Sequence, residues 1–141
     1  MVACRKRIGD WALSGGEVAP TALGDHNDEM VHWSEIAQDA PDFALRVQKR
    51  FEAGTNKTLA TLRRNGAPRI SASEMEFSSA GEVAPGMMPG STKLLDVRRD
   101  PRVALHSPTL EPPKDDPSSG PGDAKMGGSL VEIAPPVDNL Y

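Results

Sequence analysis

The segment KTLATLRRNGAPRISASEMEF, residues 57–77, limits the possible folds more than any other stretch of the chain. Two strand-like runs are joined through Asn65-Gly66, and Asn-Gly between such runs is the strongest short-range hairpin signal. A hairpin imposes antiparallel pairing and so decides which residues share a face. In the first run Leu59, Thr61 and Arg63 alternate with Thr58, Ala60 and Leu62. In the second, Arg69, Ser71, Ser73, Met75 and Phe77 take one side, and Ile70, Ala72, Glu74 and Glu76 the other. Pro68 suits the first residue of a strand, where a missing N–H costs little.

The flanking elements follow from periodicity and punctuation. Ser34 is placed to cap a short helix near Trp33, and Pro41 restarts it. Phe43, Val47 and Phe51 fall at i, i+4 and i+8, one apolar stripe on a helix ending near Gly54. A turn over 78–81 leads to a weaker strand at 82–88, interrupted by Pro85. A helix over 91–99 is stopped by Asp100-Pro101, and strands are predicted at 102–107 and 125–133. Between them, PTLEPPKDDPSSGPG (108–122) has the composition of a loop. Hairpin succession with one late helix predicts a mainly β, α+β domain built on a small antiparallel barrel. Residues 1–32 show no sustained period and are expected to be a disordered extension that the fold does not need. The domain is then 33–134, with 135–141 a disordered tail.

Composition narrows the function classes. At 141 residues with 38% hydrophobic content, the chain is one domain with a modest core. A net charge of −4 argues against attraction to nucleic acid or an anionic membrane. Arg98, Arg99 and Arg102 form the denser basic cluster, which with Arg63 and Arg64 would have to serve any nucleic-acid binding, but last-turn arginines also complement a helix C-terminus. Cys4 is alone, so no internal disulfide is expected. No run approaches eighteen apolar residues, and the basic 1–7 stretch lacks the apolar run of a secretory signal. The expectation is a cytoplasmic protein. His26, His32 and His106 have no ligand spacing, so no metal site is predicted.

One residue raises a question of charge. Lys93 falls in the first turn of the 91–99 helix, where the helix end is already positive and a cation is unfavourable by roughly 0.3–1 kcal/mol. An anion bound there would remove the conflict, because a helix N-terminus offers unpaired N–H groups and the positive dipole end. Ser91 and Thr92 would add hydroxyl donors and Lys93 a full charge. Arg69, on a strand face with Ser71 and Ser73, is a second candidate clamp. The plainer alternative is an N-cap serine, a solvated lysine and a wet strand face.

TLATLRRNGAPRIS, GMMPGSTKLLDVRRDPRVALHSP and GDAKMGG together resemble the pyridoxamine 5′-phosphate oxidase-like family of flavin-binding split barrels, over roughly residues 33–133. The resemblance implies a six-stranded split barrel with short flanking helices. It also implies a homodimer with FMN or the deazaflavin F420 at the subunit interface. In that family the strand matching Arg69, Ile70, Ser71 and Ala72 runs beside the cofactor, with its arginine on the phosphate. Positions matching Ser91, Thr92 and Lys93 lie at the same phosphate, and those matching Met87 and Met88 lie near the ring and phosphate arm. The implied activity is hydride transfer to or from a small-molecule substrate, with no catalytic side chain assigned; the alternative is a non-catalytic flavin or F420 carrier. Thr92 replaces an arginine of the true oxidases and Glu74 a lysine, which argues against pyridoxamine phosphate as substrate. The chain stops at Tyr141, where family members continue into another strand, so an incomplete barrel is expected at the C-terminus.

Overall fold

A computed structural model describes residues 2–13, 31–79 and 81–132. Their elements run β1 (Val2–Leu13), β2 (Val31–His32), α1 (Trp33–Asp39), α2 (Pro41–Glu52), β3 (Lys57–Leu62), β4 (Pro68–Ser73), β5 (Met75–Phe77), β6 (Val83–Met87), α3 (Thr92–Arg99), β7 (Arg102–His106), a 3-10 turn (Pro117–Ser119) and β8 (Ala124–Glu132). The fold is mixed α and β, with three helices against an antiparallel sheet among the described residues. The strand path is β4-β3-β7-β8-β1-β6-β5, with β2 paired to β1.

The hairpin forms as its turn residues require. Gly66 holds φ +81°, the left-handed region a non-glycine residue avoids, and its N–H donates to the Arg63 carbonyl at 2.8 Å. Asn65 accepts from the Ala67 N–H at 3.1 Å. Register pairs Thr61 with Arg69 and Leu59 with Ser71. Leu59, Thr61 and Ser73 are buried while Ile70 is 74% exposed, so the face carrying Arg69, Ser71 and Ser73 turns inward.

The sheet is not a closed cylinder, and its two end strands are neighbours in sequence. Only Glu74 separates β4 from β5. At this corner the Ser73 hydroxyl donates to the Gly86 carbonyl at 2.8 Å, and the Gly86 N–H donates to the Glu74 carbonyl at 2.9 Å. The chain thus crosses from one end of the strand path to the other within three residues. Pro85 is tolerated for a geometric reason. Ser78 N–H to Glu82 and Gly86 N–H to Glu74 mark the hydrogen-bonded pairs of β5–β6, which leaves Pro85 opposite Met75 in a non-bonded pair. Its nitrogen is then toward β1, whose ladder with β6 pairs Met87 and Gly86 and stops before it.

The stripe expected on α2 forms the core, with Phe43, Val47 and Phe51 all buried. Phe77 stacks obliquely on Trp33 and Phe51, at centroid distances of 5.2 and 6.3 Å. The cap differs from expectation. His32, not Ser34, precedes α1, and Ser34 lies against Gly81, where an added Cβ would come within 2.7 Å of the serine.

The larger correction concerns residues 1–32. Far from a dispensable extension, 2–13 form a twelve-residue strand between β8 and β6, and 31–32 form β2. A register shift between Ile8 and Asp10 explains why no period is visible. A bulge moves the alternation by one residue, so no single two-residue pattern runs through the strand. Neither strand is among the six expected. The remainder of the proposed extension, 14–30, and the tail at 135–141 lie outside the described residues.

Candidate functional site

The site grows from the turn that opens α3. Gly90, at φ +73°, reverses the chain after Met88, and the Ser91 N–H donates to the Met88 carbonyl at 3.1 Å. Ser91 is the N-cap by backbone geometry, and its carbonyl accepts from Leu95 at 3.1 Å. Its hydroxyl does not cap: Ser91 Oγ is buried with no hydrogen-bond partner. Lys93 reaches across from α3 to β4, donating through Nζ to the Ala72 carbonyl at 2.7 Å. Burial lowers the pKa of Lys93, and the nearby Glu74 charge partly opposes that shift.

The β3–β4 ladder explains why Ala72 is available. The Arg63 N–H bonds Ala67, so hydrogen-bonded pairs alternate through Thr61–Arg69 and Leu59–Ser71. The N–H and C=O groups of Ile70 and Ala72 therefore point away from β3, toward the open edge. Beside that edge lies a groove of about 280 Å³, lined by Ala72, Ser73 and Glu74 of the β4–β5 corner, Gly86, Met87 and Met88 around the end of β6, and Asn56 and Lys93.

Of the nine expected site residues, Ala72, Met87, Met88 and Lys93 line this groove. Ser91 is the N-cap of α3 and Thr92 its first residue. Ser71 is half-buried on the inner face of β4, and Ile70 projects outward. Arg69 does not line the groove. Its Nε donates to Asp96 Oδ2 at 2.6 Å, so the expected convergence of Arg69 and Lys93 on one anion is not the arrangement found. Both residues do bridge β4 to α3, but they do so at separate points.

Asp96 is the residue that sequence reasoning missed. It is 3% exposed and accepts from Thr61 Oγ1 at 3.0 Å and Arg99 Nη2 at 3.1 Å besides Arg69. Burial pushes its pKa up, but the hydrogen bonds from Arg69, Arg99 and Thr61 outweigh this and hold the carboxyl below its ordinary range. Arg99 also donates to the Leu62 carbonyl, tying the helix to the end of β3. A signal was present in the sequence. Asp96 stands between Leu94 and Val97 on the face α3 buries, where an acid needs a partner.

Arg98, Arg102 and His106 face acids away from the groove. Arg98 clasps Glu132 through two nitrogens, at 2.9 and 2.5 Å, and Arg102 pairs with Asp100 at 2.6 Å. His106 Nε2 lies 3.7 Å from Asp123. Among the described residues no three His, Cys, Asp or Glu side chains are grouped to hold a metal, and no helix is long and apolar enough to cross a membrane. Comparison with protein-family models, curated proteins and solved structures returns no match to this chain.

Proposed function

We propose that the protein is an oxidoreductase of split-barrel type that binds FMN or the deazaflavin F420 through its phosphate. One observation carries the reading: the partnerless buried hydroxyl of Ser91 lies at the start of α3, with Lys93 reaching across to the open edge of β4. A phosphate oxygen would satisfy that hydroxyl together with the first-turn N–H groups, and would balance the Lys93 charge. The outward N–H and C=O groups of Ile70 and Ala72 offer a donor–acceptor edge suited to a planar heterocycle. The cofactor, when bound, supplies the hydride chemistry, while the chain binds and orients it.

One chain covers part of such a ligand. The groove's 280 Å³ falls at the lower margin of the roughly 300–1,000 Å³ typical of ligand pockets. Met88, 73% exposed, and Ile70 border this edge as uncovered apolar surface. A second copy placed there would complete the site, as in the homodimer that the family resemblance implies. A small-molecule substrate would enter from the same side.

Titration of purified protein with FMN and F420, followed by cofactor fluorescence, tests the reading. Binding on the order of micromolar is expected, weakened by Ser91→Ala and by Lys93→Ala. Absence of binding for both cofactors overturns it. A carrier without turnover is the second reading, favoured by the groove's ionisable side chains. Lys93 and Glu74 are the two ionisable residues lining the groove, and their opposite charges offset one another. Reduced cofactor oxidised by a quinone or dye acceptor in the presence of the protein would exclude the carrier.

A further inference from the structure

We infer that Arg69 is a positioning residue and not an anion ligand: joined to Asp96, it sets the angle at which α3 presents its N-terminal turn to the groove. The inference rests on the proposed phosphate site, and it departs from the role that the family resemblance implies for this arginine.

α3 packs beside β3, and two side-chain ties reach from it to the neighbouring β4: Lys93 to Ala72 and Asp96 to Arg69, three residues apart on both elements and running in opposite senses. Three strand residues span about 10 Å, so Arg69 springs from β4 well away from the groove end of the strand. Three helix residues advance about 4.5 Å, so the ties hold α3 near its start and again one turn later. For an eight-residue helix, two such points fix direction as well as distance.

Asp96 cannot readily release the guanidinium. Both its oxygens are engaged, Oδ2 by Thr61 and Arg69 and Oδ1 by Arg99, and its side chain is 4% exposed. Turning Arg69 toward a ligand would strip a buried carboxylate of its shortest bond. The arginine therefore stays with the helix, and the phosphate is left to Ser91, Lys93 and the helix end.

The test compares affinity for FMN with affinity for riboflavin, which shares the ring and lacks the phosphate; for a deazaflavin binder, F420 and its phosphate-free chromophore serve. The ratio reports the phosphate site alone. Under the positioning role, Arg69→Gln and Asp96→Asn each lower this ratio several-fold. The double variant lowers it no further than the stronger single one, and Arg69→Lys recovers part of it. If Arg69 touched the phosphate directly, Arg69→Gln would lower the ratio while Asp96→Asn left it unchanged or higher. If the pair served stability only, both variants would lose Tm with the ratio intact. Either result overturns the inference. Should Asp96→Asn fail to fold, Thr61→Val removes one bond from Asp96 and gives a smaller fall in the ratio, with an unchanged ratio refuting the role. Wild-type protein that binds neither the phosphorylated nor the phosphate-free forms breaks the functional reading itself, a result distinct from all of these.

Discussion

Asp96 and Asp100 stand one helical turn apart, both face arginine, and both have pKa values below the ordinary carboxylate range. Their surroundings are opposite. Asp96 is buried on the seam between α3, β3 and β4, where burial works against its charge and three donors overcome it. Asp100 sits just past the helix, drawn down to about 2 chiefly by its hydrogen bonds with Arg102, whose side chain is 71% exposed. The same sign of shift thus describes a structural anchor in one place and a solvated pair in the other. Burial makes the difference, because water can replace the partner of Asp100 and cannot replace those of Asp96.

The sharpest way to break the comparison is to truncate each acid. Asp96→Ala is expected to cost about 3–5 kcal/mol, since two guanidinium groups lose a buried counter-charge. Denaturant unfolding measures it, and a loss no larger than that of Asp100→Ala would erase the distinction. Thr61→Val should come next, at about 1.5–3 kcal/mol, because it removes a hydrogen bond to a charged group. That value separates the hydroxyl's share from the guanidinium's.

Acid titration sharpens the contrast without mutating the seam. The folded-state pKa of Asp96 is depressed, so its contribution is complete above the ordinary value of 3.8 and disappears as pH falls through the lower folded-state value. Stability measured downward from pH 5 should therefore drop less steeply in Asp96→Asn than in wild type. Unchanged acid sensitivity in that variant would show that Asp96 is not the group responsible. The smallest effect is assigned to the surface. Arg102→Ala and Arg98→Ala should leave Tm within experimental scatter in moderate salt, and a clear loss in either would mean that these pairs hold the fold after all.

Local chemistry made much of this architecture readable. Asn65-Gly66 forced the turn, and the period of Phe43, Val47 and Phe51 marked the buried face of α2. Pro101 ended α3 where expected. That Arg69, Ser71 and Ser73 share a face also followed from alternation, but that the face turns inward did not, and its polarity invited a ligand or solvent as the explanation. What filled that polar face was in part another element of the protein, Asp96. Its partner lies 27 residues away in sequence, and no local pattern reports such a distance. β1 escaped notice because its bulge breaks the alternation that betrays a strand.

By itself, then, the order of residues determined the short-range elements: a turn needs a residue that accepts positive φ, and a helix or strand shows its buried side as a period. Only the tertiary structure decided which charges meet. Whether Arg69 answers to a ligand or to Asp96 depends on where α3, packed beside β3, places that carboxylate, and its burial makes the contact costly to break.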